Sequence, residues 1–254
     1  LLKTDEAKQN LEQVYSKNDS VLRNLFSFND VIKDIKGYNA AGEFVRNFPF
    51  VPYQFILMQK VFAEIRKHGN SGKHLSGGER SMLSGFQEAA QKIEDKDEYA
   101  LAPFYLFYDT VHTFLDSSIR RVIERCERAA HDGNGLEPPD VNVLKLLYLV
   151  RYVDDVKANL DNIVILMANE IQMDKISMRE QVRGSLERLM SQNYIGRTGD
   201  TYNFLTDEEQ DVQREIKNTP VATADIVGRI AQMFFTDIYT TKKFRYGKYD
   251  FPFD

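Results

Sequence analysis

Glycine and proline crowd the stretch His131-Asp132-Gly133-Asn134-Gly135-Leu136-Glu137-Pro138-Pro139-Asp140, the clearest break in the chain. Glycine opens backbone angles that other residues avoid, and proline locks one angle and removes a donor, so this density interrupts regular structure. At roughly 100–200 residues per domain, 254 residues fit about two domains. The break therefore predicts a boundary: helical residues 1–133, a second module over 134–217, and an amphipathic helix with a tail over 218–254.

Before the break the apolar spacing is helical. Leu11, Val14, Tyr15, Val21, Leu22 and Leu25 recur at three, four and seven. Phe26–Asp30 interrupts this run, and Asn29 or Asp30 is placed to cap a short helix toward Lys36. In Phe48-Pro49-Phe50-Val51-Pro52, two prolines hold the backbone extended, and Pro52 suits the first turn of a helix running to about Lys67. The aromatic residues here read as a plug fixing one helix against another. A helix is expected over Arg80–Ile93, with Ser76 and Glu79 as its capping box. Another is expected through Tyr99–Ala130. Its later arginines alternate with glutamates, a pattern of i,i+4 pairs on a solvated face.

After the break the pattern changes. Val141–Val153 is strongly apolar, Asp161 is placed to cap Asn162–Ile171, and Met178–Gln192 carries Val182, Leu186, Leu189 and Met190 on one face. Tyr194–Arg197 and Tyr202–Leu205 are strand-like around the turn Thr198-Gly199-Asp200-Thr201. A polar helix capped by Thr206–Glu209 follows. Three helices and then a hairpin is the order of a winged helix. The fold class is therefore mainly α, with a winged-helix-like second half. In a DNA-binding winged helix the third helix enters the major groove and the wing touches backbone, which nominates Lys175, Arg179, Arg183, Arg188 and Arg197. Asp174, Glu180, Glu187 and Asp200 offset them, so DNA contact and protein packing both stay open. The tail Lys242–Phe253 alternates and is basic-aromatic, and reads as a strand leading toward a further domain rather than a base-stacking platform.

Composition narrows the function classes. A net charge of −5 gives no global field for nucleic acid or membrane, so any DNA contact needs a local patch. Cys126 is the only cysteine, which excludes an intrachain disulfide and fits a reduced, cytoplasmic compartment. No apolar run is long enough to span a bilayer, so no membrane association is expected. His112 and His131 lack metal-ligand spacing. The start at Leu1 and the end at Asp254 fit a piece of a longer protein.

Leu75-Ser76-Gly77-Gly78-Glu79 resembles the ABC signature loop, but the apolar strand ending in Asp-Glu does not follow it. Gly72-Lys73-His74 resembles the end of a phosphate loop, yet Lys67 stands where its first glycine belongs and His74 where Ser or Thr belongs. This chain therefore carries no Walker A motif.

Four words of the sequence, FPFVPYQF (Phe48–Phe55), GKHLSGGERSML (Gly72–Leu83), Lys157-Ala158-Asn159-Leu160 and FLTDEEQDVQREI (Phe204–Ile216), resemble the P-loop ATPase of bacterial BREX phage-exclusion systems, the BrxC/PglY family. The resemblance implies a AAA+-like ATPase acting with other BREX proteins in antiviral defence. It also implies self-association of the parent, and ATP and magnesium as the parent's cofactors. The nucleotide-binding core is absent from these residues, so they correspond to the helical lid (residues 1–133) and the winged helix. The chain alone needs no cofactor and should be inactive. In that family setting Arg80 occupies the place of a sensor-2 arginine facing the γ-phosphate, coupling nucleotide state to lid position. The alternative is a non-enzymatic DNA-binding or scaffold module that uses the winged helix.

Overall fold

The structure is a computed structural model. It describes residues 2–32, 34–68, 78–112, 114–238 and 243–252, with the backbone alone for 78–81. It is mainly helical, with two small antiparallel hairpins. Leu1–Gln210 form one compact unit and Asp211–Asp254 another.

In the first unit, α1 (Asp5–Leu25) starts at Thr4, whose hydroxyl accepts the Ala7 N–H at 3.2 Å. Asp5 and Glu6 sit in its first turn, where the helix dipole favours negative charge. Its apolar stripe, including Leu11, Val14, Leu22 and Leu25, is buried, and the helix packs on α2 (Ala41–Asn47). Among the described residues between Asp30 and Lys36 none is helical: Val31 makes an antiparallel bridge to Val156, and Ile32 N–H donates to Asp155 C=O at 3.2 Å.

The proline-aromatic stretch follows, with a cis Phe48–Pro49 bond. α3 (Pro52–Lys67) has Pro52 at its first position and buries Leu57, Met58, Val61, Phe62 and Ile65. Gln54 is fully buried and stitches this corner together. Its Oε1 accepts Val51 N–H at 3.1 Å, and its Nε2 donates to Ala102 C=O at 2.6 Å.

The single helix expected over Tyr99–Ala130 is instead three pieces after α4 (Gly78–Gln91): a 3-10 turn at Phe104–Phe107, α5 (Tyr108–His112) and α6 (Ser117–His131). Pro103 precedes the 3-10 turn, and Asp116 caps α6 by accepting Ser118 N–H at 2.8 Å. A new N-cap inside an apolar run ends one helix and starts another, which periodicity alone does not reveal.

α7 (Pro138–Val150) is the centre of this unit. Val141, Val143, Leu144, Leu146, Leu147, Tyr148, Leu149 and Val150 are all buried. A helix apolar on every side needs neighbours on every side. They include α5, α6, the 3-10 turn, α8 (Leu160–Leu166), α9 (Lys175–Ser191) and the hairpin. Burying one such leucine is worth roughly 1.5–3 kcal/mol.

The break at His131–Asp140 is thus a turn, with Gly133 and Gly135 at φ 68° and 76°, between two helices that share a core. Further pairing crosses from residues before it to residues after it: Leu101 N–H donates to Asn169 C=O, and Ile171 N–H to Tyr99 C=O, each at 2.8 Å. The expected division into 1–133 and 134–217 does not coincide with the division between the compact units.

The cap of α8 is Asn159, whose Oδ1 accepts Asn162 N–H at 2.9 Å, rather than Asp161. β1 (Ile195–Thr198) and β2 (Thr201–Phe204) pair with Ile195 opposite Phe204 and Thr198 opposite Thr201. Gly199 makes the turn at φ 63°, a left-handed angle that suits glycine. Asn159 bridges Thr201 antiparallel, and Tyr202 N–H donates to Ala158 C=O at 2.9 Å, so a third extended segment flanks the hairpin.

α10 (Asp207–Asn218) runs across the boundary at Gln210. A reciprocal capping box starts it: Thr206 N–H donates to Glu209 Oε2 at 2.8 Å, and Glu209 N–H to Thr206 Oγ1 at 3.3 Å.

The second unit carries α11 (Thr223–Met233), a π turn (Phe234–Ile238), and a hairpin of β3 (Lys243–Tyr246) and β4 (Tyr249–Pro252). The helix expected over about Ala222–Tyr239 is met by a continuous helical run from Thr223 to Ile238, Tyr239 lying outside the described residues, and the expected outgoing strand doubles back at Gly247, φ 60°. None of the residues of α11, β3 or β4 is buried.

Candidate nucleic-acid interface

α9 presents the residues nominated for DNA contact. Asp174 caps it, accepting Ile176 N–H at 3.0 Å and Ser177 N–H at 3.2 Å. Val182, Ser185, Leu186 and Leu189 face inward toward α7 and α8, which fixes the helix's roll. A polar cleft of about 710 Å³ opens between α9, the start of α8 and the β1–β2 hairpin.

Three of the five nominated residues meet in that cleft: Arg179, Arg183 and Arg197. Arg179 is paired with Asp161. Arg183 Nη1 donates to both oxygens of Glu180 at 2.8 Å. Arg197 lies over the Tyr202 ring, 5.4 Å from its centroid, and its Nε donates to Gly199 C=O at 2.9 Å. The same cleft is lined by Asp30, Asp161, Glu187 and Asp200. Three arginines thus face four carboxylates, and an incoming phosphate competes with Asp161 and Glu180 for its donors.

The other two nominees lie elsewhere. Lys175 donates to Asn24 C=O at 3.3 Å, and burial lowers its amine pKa. Arg188 turns to α7, where its Nη2 and Nε donate to Asp140 Oδ1 and Oδ2 at 2.7 and 2.8 Å. Asp140 is fully buried and also accepts Glu137 N–H at 2.9 Å.

Two further arginines, neither of them nominated for DNA contact, hold the start of α10. Arg125, expected on a solvated face with i,i+4 partners, reaches Asp207 at 2.9 Å and Gln210 Oε1 at 2.8 Å. Arg151 holds Glu209 through two bonds, of 2.9 and 2.8 Å, and donates to Phe204 C=O at 2.6 Å. The word FLTDEEQ is therefore occupied by packing and capping: Phe204 and Gln210 are buried, and Glu209 is clamped. The acidic start of a helix following a strand was the legible signal that distant arginines would gather there.

The backbone of Arg80 lies in α4, but its side chain falls outside the described residues, as do Ser76, the Glu79 side chain and Gly72–His74. Burial pushes the Cys126 thiol up to about 12, so it is no nucleophile near neutral pH. Among the described residues, no group of three or more His, Cys, Asp and Glu is arranged to hold a metal ion, and no helix is long and apolar enough to cross a membrane. No family model matches the chain, and no solved structure matches it at a significant level.

Proposed function

We propose that this chain is the lid and winged-helix region of a AAA+-like ATPase of the BREX phage-defence type, and that the groove between α9 and the β1–β2 wing contacts duplex DNA. The resemblance in sequence supplies the family. The winged-helix reading is supported by the order α7, α8, α9, hairpin, and by the isolated Asn159–Thr201 bridge that sets an extended segment beside the wing. The observation that carries the DNA reading is the convergence of Arg179, Arg183 and Arg197, from the third helix and the wing, on one cleft. The region is cytoplasmic in this reading and works beside other BREX proteins in a self-associating parent.

Lys175 and Arg188 drop out of the proposed contact set, because one is half-committed to Asn24 and the other to buried Asp140. Three cations bound the electrostatics. Duplex binding loses about 0.9 in log K per log salt for each phosphate neutralised, so the slope should be no steeper than about −3. The test is fluorescence anisotropy of labelled duplex DNA with the whole chain at several salt concentrations. Arg179→Glu with Arg183→Glu should abolish binding. A wild-type chain that ignores duplex at low salt would overturn the DNA reading.

A second reading draws on the same cleft. Its four carboxylates interleave with the arginines, a mixed pattern suited to a protein surface bearing both signs. Under it the groove docks another protein of the assembly. The proposed sensor-2 role of Arg80 rests on the resemblance alone. Arg80→Ala in the parent ATPase should reduce ATP turnover, and unchanged turnover and nucleotide affinity would remove the role.

A further inference from the structure

A second concavity, unrelated to the α9 groove, lies where α2, α3 and α4 meet. It is a cleft of about 950 Å³, within the size range of small-molecule sites. Its walls are phenylalanines. Phe50 and Phe62 are buried, while Phe55 and Phe86 are half-buried and stack with centroids 4.6 Å apart and planes 20° apart. Half-exposed stacked rings in a concave wall leave aromatic faces and edges available to a third ring.

Two arginines, Arg46 of α2 and Arg66 of α3, also line the cleft, and among the described residues no acidic side chain does. Both are exposed, and neither guanidinium has a carboxylate partner among the described residues. The contrast with the α9 groove is one of charge balance: there the arginines are matched by carboxylates, and here, among the described residues, they are not. An apolar aromatic floor beneath two uncompensated cations complements a ligand that is itself aromatic and anionic.

We infer that the α2–α3–α4 cleft binds a small aromatic anion, its ring system against Phe55 and Phe86 and its negative group between Arg46 and Arg66. The inference is independent of the DNA and BREX readings.

The test uses the full chain and the probe 8-anilinonaphthalene-1-sulfonate, with uncharged N-phenyl-1-naphthylamine as its comparator. The sulfonate should bind saturably. Arg46→Gln with Arg66→Gln should weaken it about tenfold, matching loss of one or more charge-assisted bonds of about 1.5 kcal/mol. Leu83→Glu places a negative charge at the mouth on a side chain 74% exposed, so folding is spared, and it should weaken the sulfonate similarly. Both variants should leave the uncharged probe within about twofold. Exposed apolar side chains of the second unit, such as Ile230 and Phe234, add a background that these substitutions do not touch. 1-Naphthyl phosphate should displace the sulfonate and dodecanoate should not. Equal sulfonate affinity in all three proteins would overturn the site, and equal displacement by dodecanoate would overturn its preference for aromatic ligands.

Discussion

Asn162 pairs with the backbone of Asn29 as a neighbouring strand would. Its Oδ1 accepts Asn29 N–H at 3.0 Å, and its Nδ2 donates to Asn29 C=O at 2.8 Å and to Lys157 C=O at 2.9 Å. The side chain is fully buried, and its amide has all but one of its bonding positions filled. One residue of α8 thereby fastens the segment after α1 to the floor of the α9 groove, where Asn29 and Asp30 line the wall.

Asn162→Ala should therefore destabilise the chain by about 2–3 kcal/mol, since it strands an N–H and two carbonyls. Asn162→Asp should cost at least as much at pH 7, because a carboxylate cannot donate to the two carbonyls it would face. Urea unfolding measures both. A loss below about 0.5 kcal/mol for either variant would mean that water replaces the amide and that the groove wall is not held this way.

The pair Arg188–Asp140 separates stability from recognition. Arg188→Met leaves the Asp140 carboxylate buried with one N–H donor and should cost about 3 kcal/mol. Adding Asp140→Asn removes the stranded charge and should recover at least about 1 kcal/mol. The double variant should keep whatever duplex affinity the wild type has, because Arg188 faces α7. A drop in duplex affinity without further loss of stability would return Arg188 to the contact set.

Local signals carried much of the fold. Pro52 marked the start of α3, the apolar spacing marked its buried face, and Thr198–Thr201 marked the hairpin turn. The order of three helices and a hairpin was legible for the same reason: each element announces itself within about fifteen residues. What failed was non-local. Nothing near Asn162 indicates that its partner lies 133 residues away, and nothing near Gly133–Gly135 tells a domain linker from a tight turn between two packed helices. The site fared likewise. Arg179, Arg183 and Arg197 were nominated by position on a helix and a wing, but Asp161, which neutralises Arg179, came from the segment read as a helix cap. Arg188 was nominated on the same ground, as a cation of the third helix, whereas helix roll decides which way it points.

The clamp on α10 should titrate in acid. Burial pulls the Glu209 carboxyl upward. The Arg151 hydrogen bonds and the Thr206 N–H outweigh it, and the net position lies below the ordinary glutamate value of 4.5. A carboxyl whose folded pKa is depressed contributes stability that is complete above its unfolded pKa and is lost as pH falls through the folded one. The Tm difference between wild type and Glu209→Gln should thus be constant from pH 7 to about pH 5 and shrink below about pH 4.5. Because Glu209 is partly open to solvent, solvent screening keeps that contribution small. Circular dichroism melts at half-unit pH steps read the difference directly. If the two melting curves keep the same separation down to pH 3, the Arg151–Glu209 pair contributes nothing through charge. Attachment of the first turn, Asp207–Gln210, would then rest on buried Gln210 and on the reach of Arg125 to Asp207.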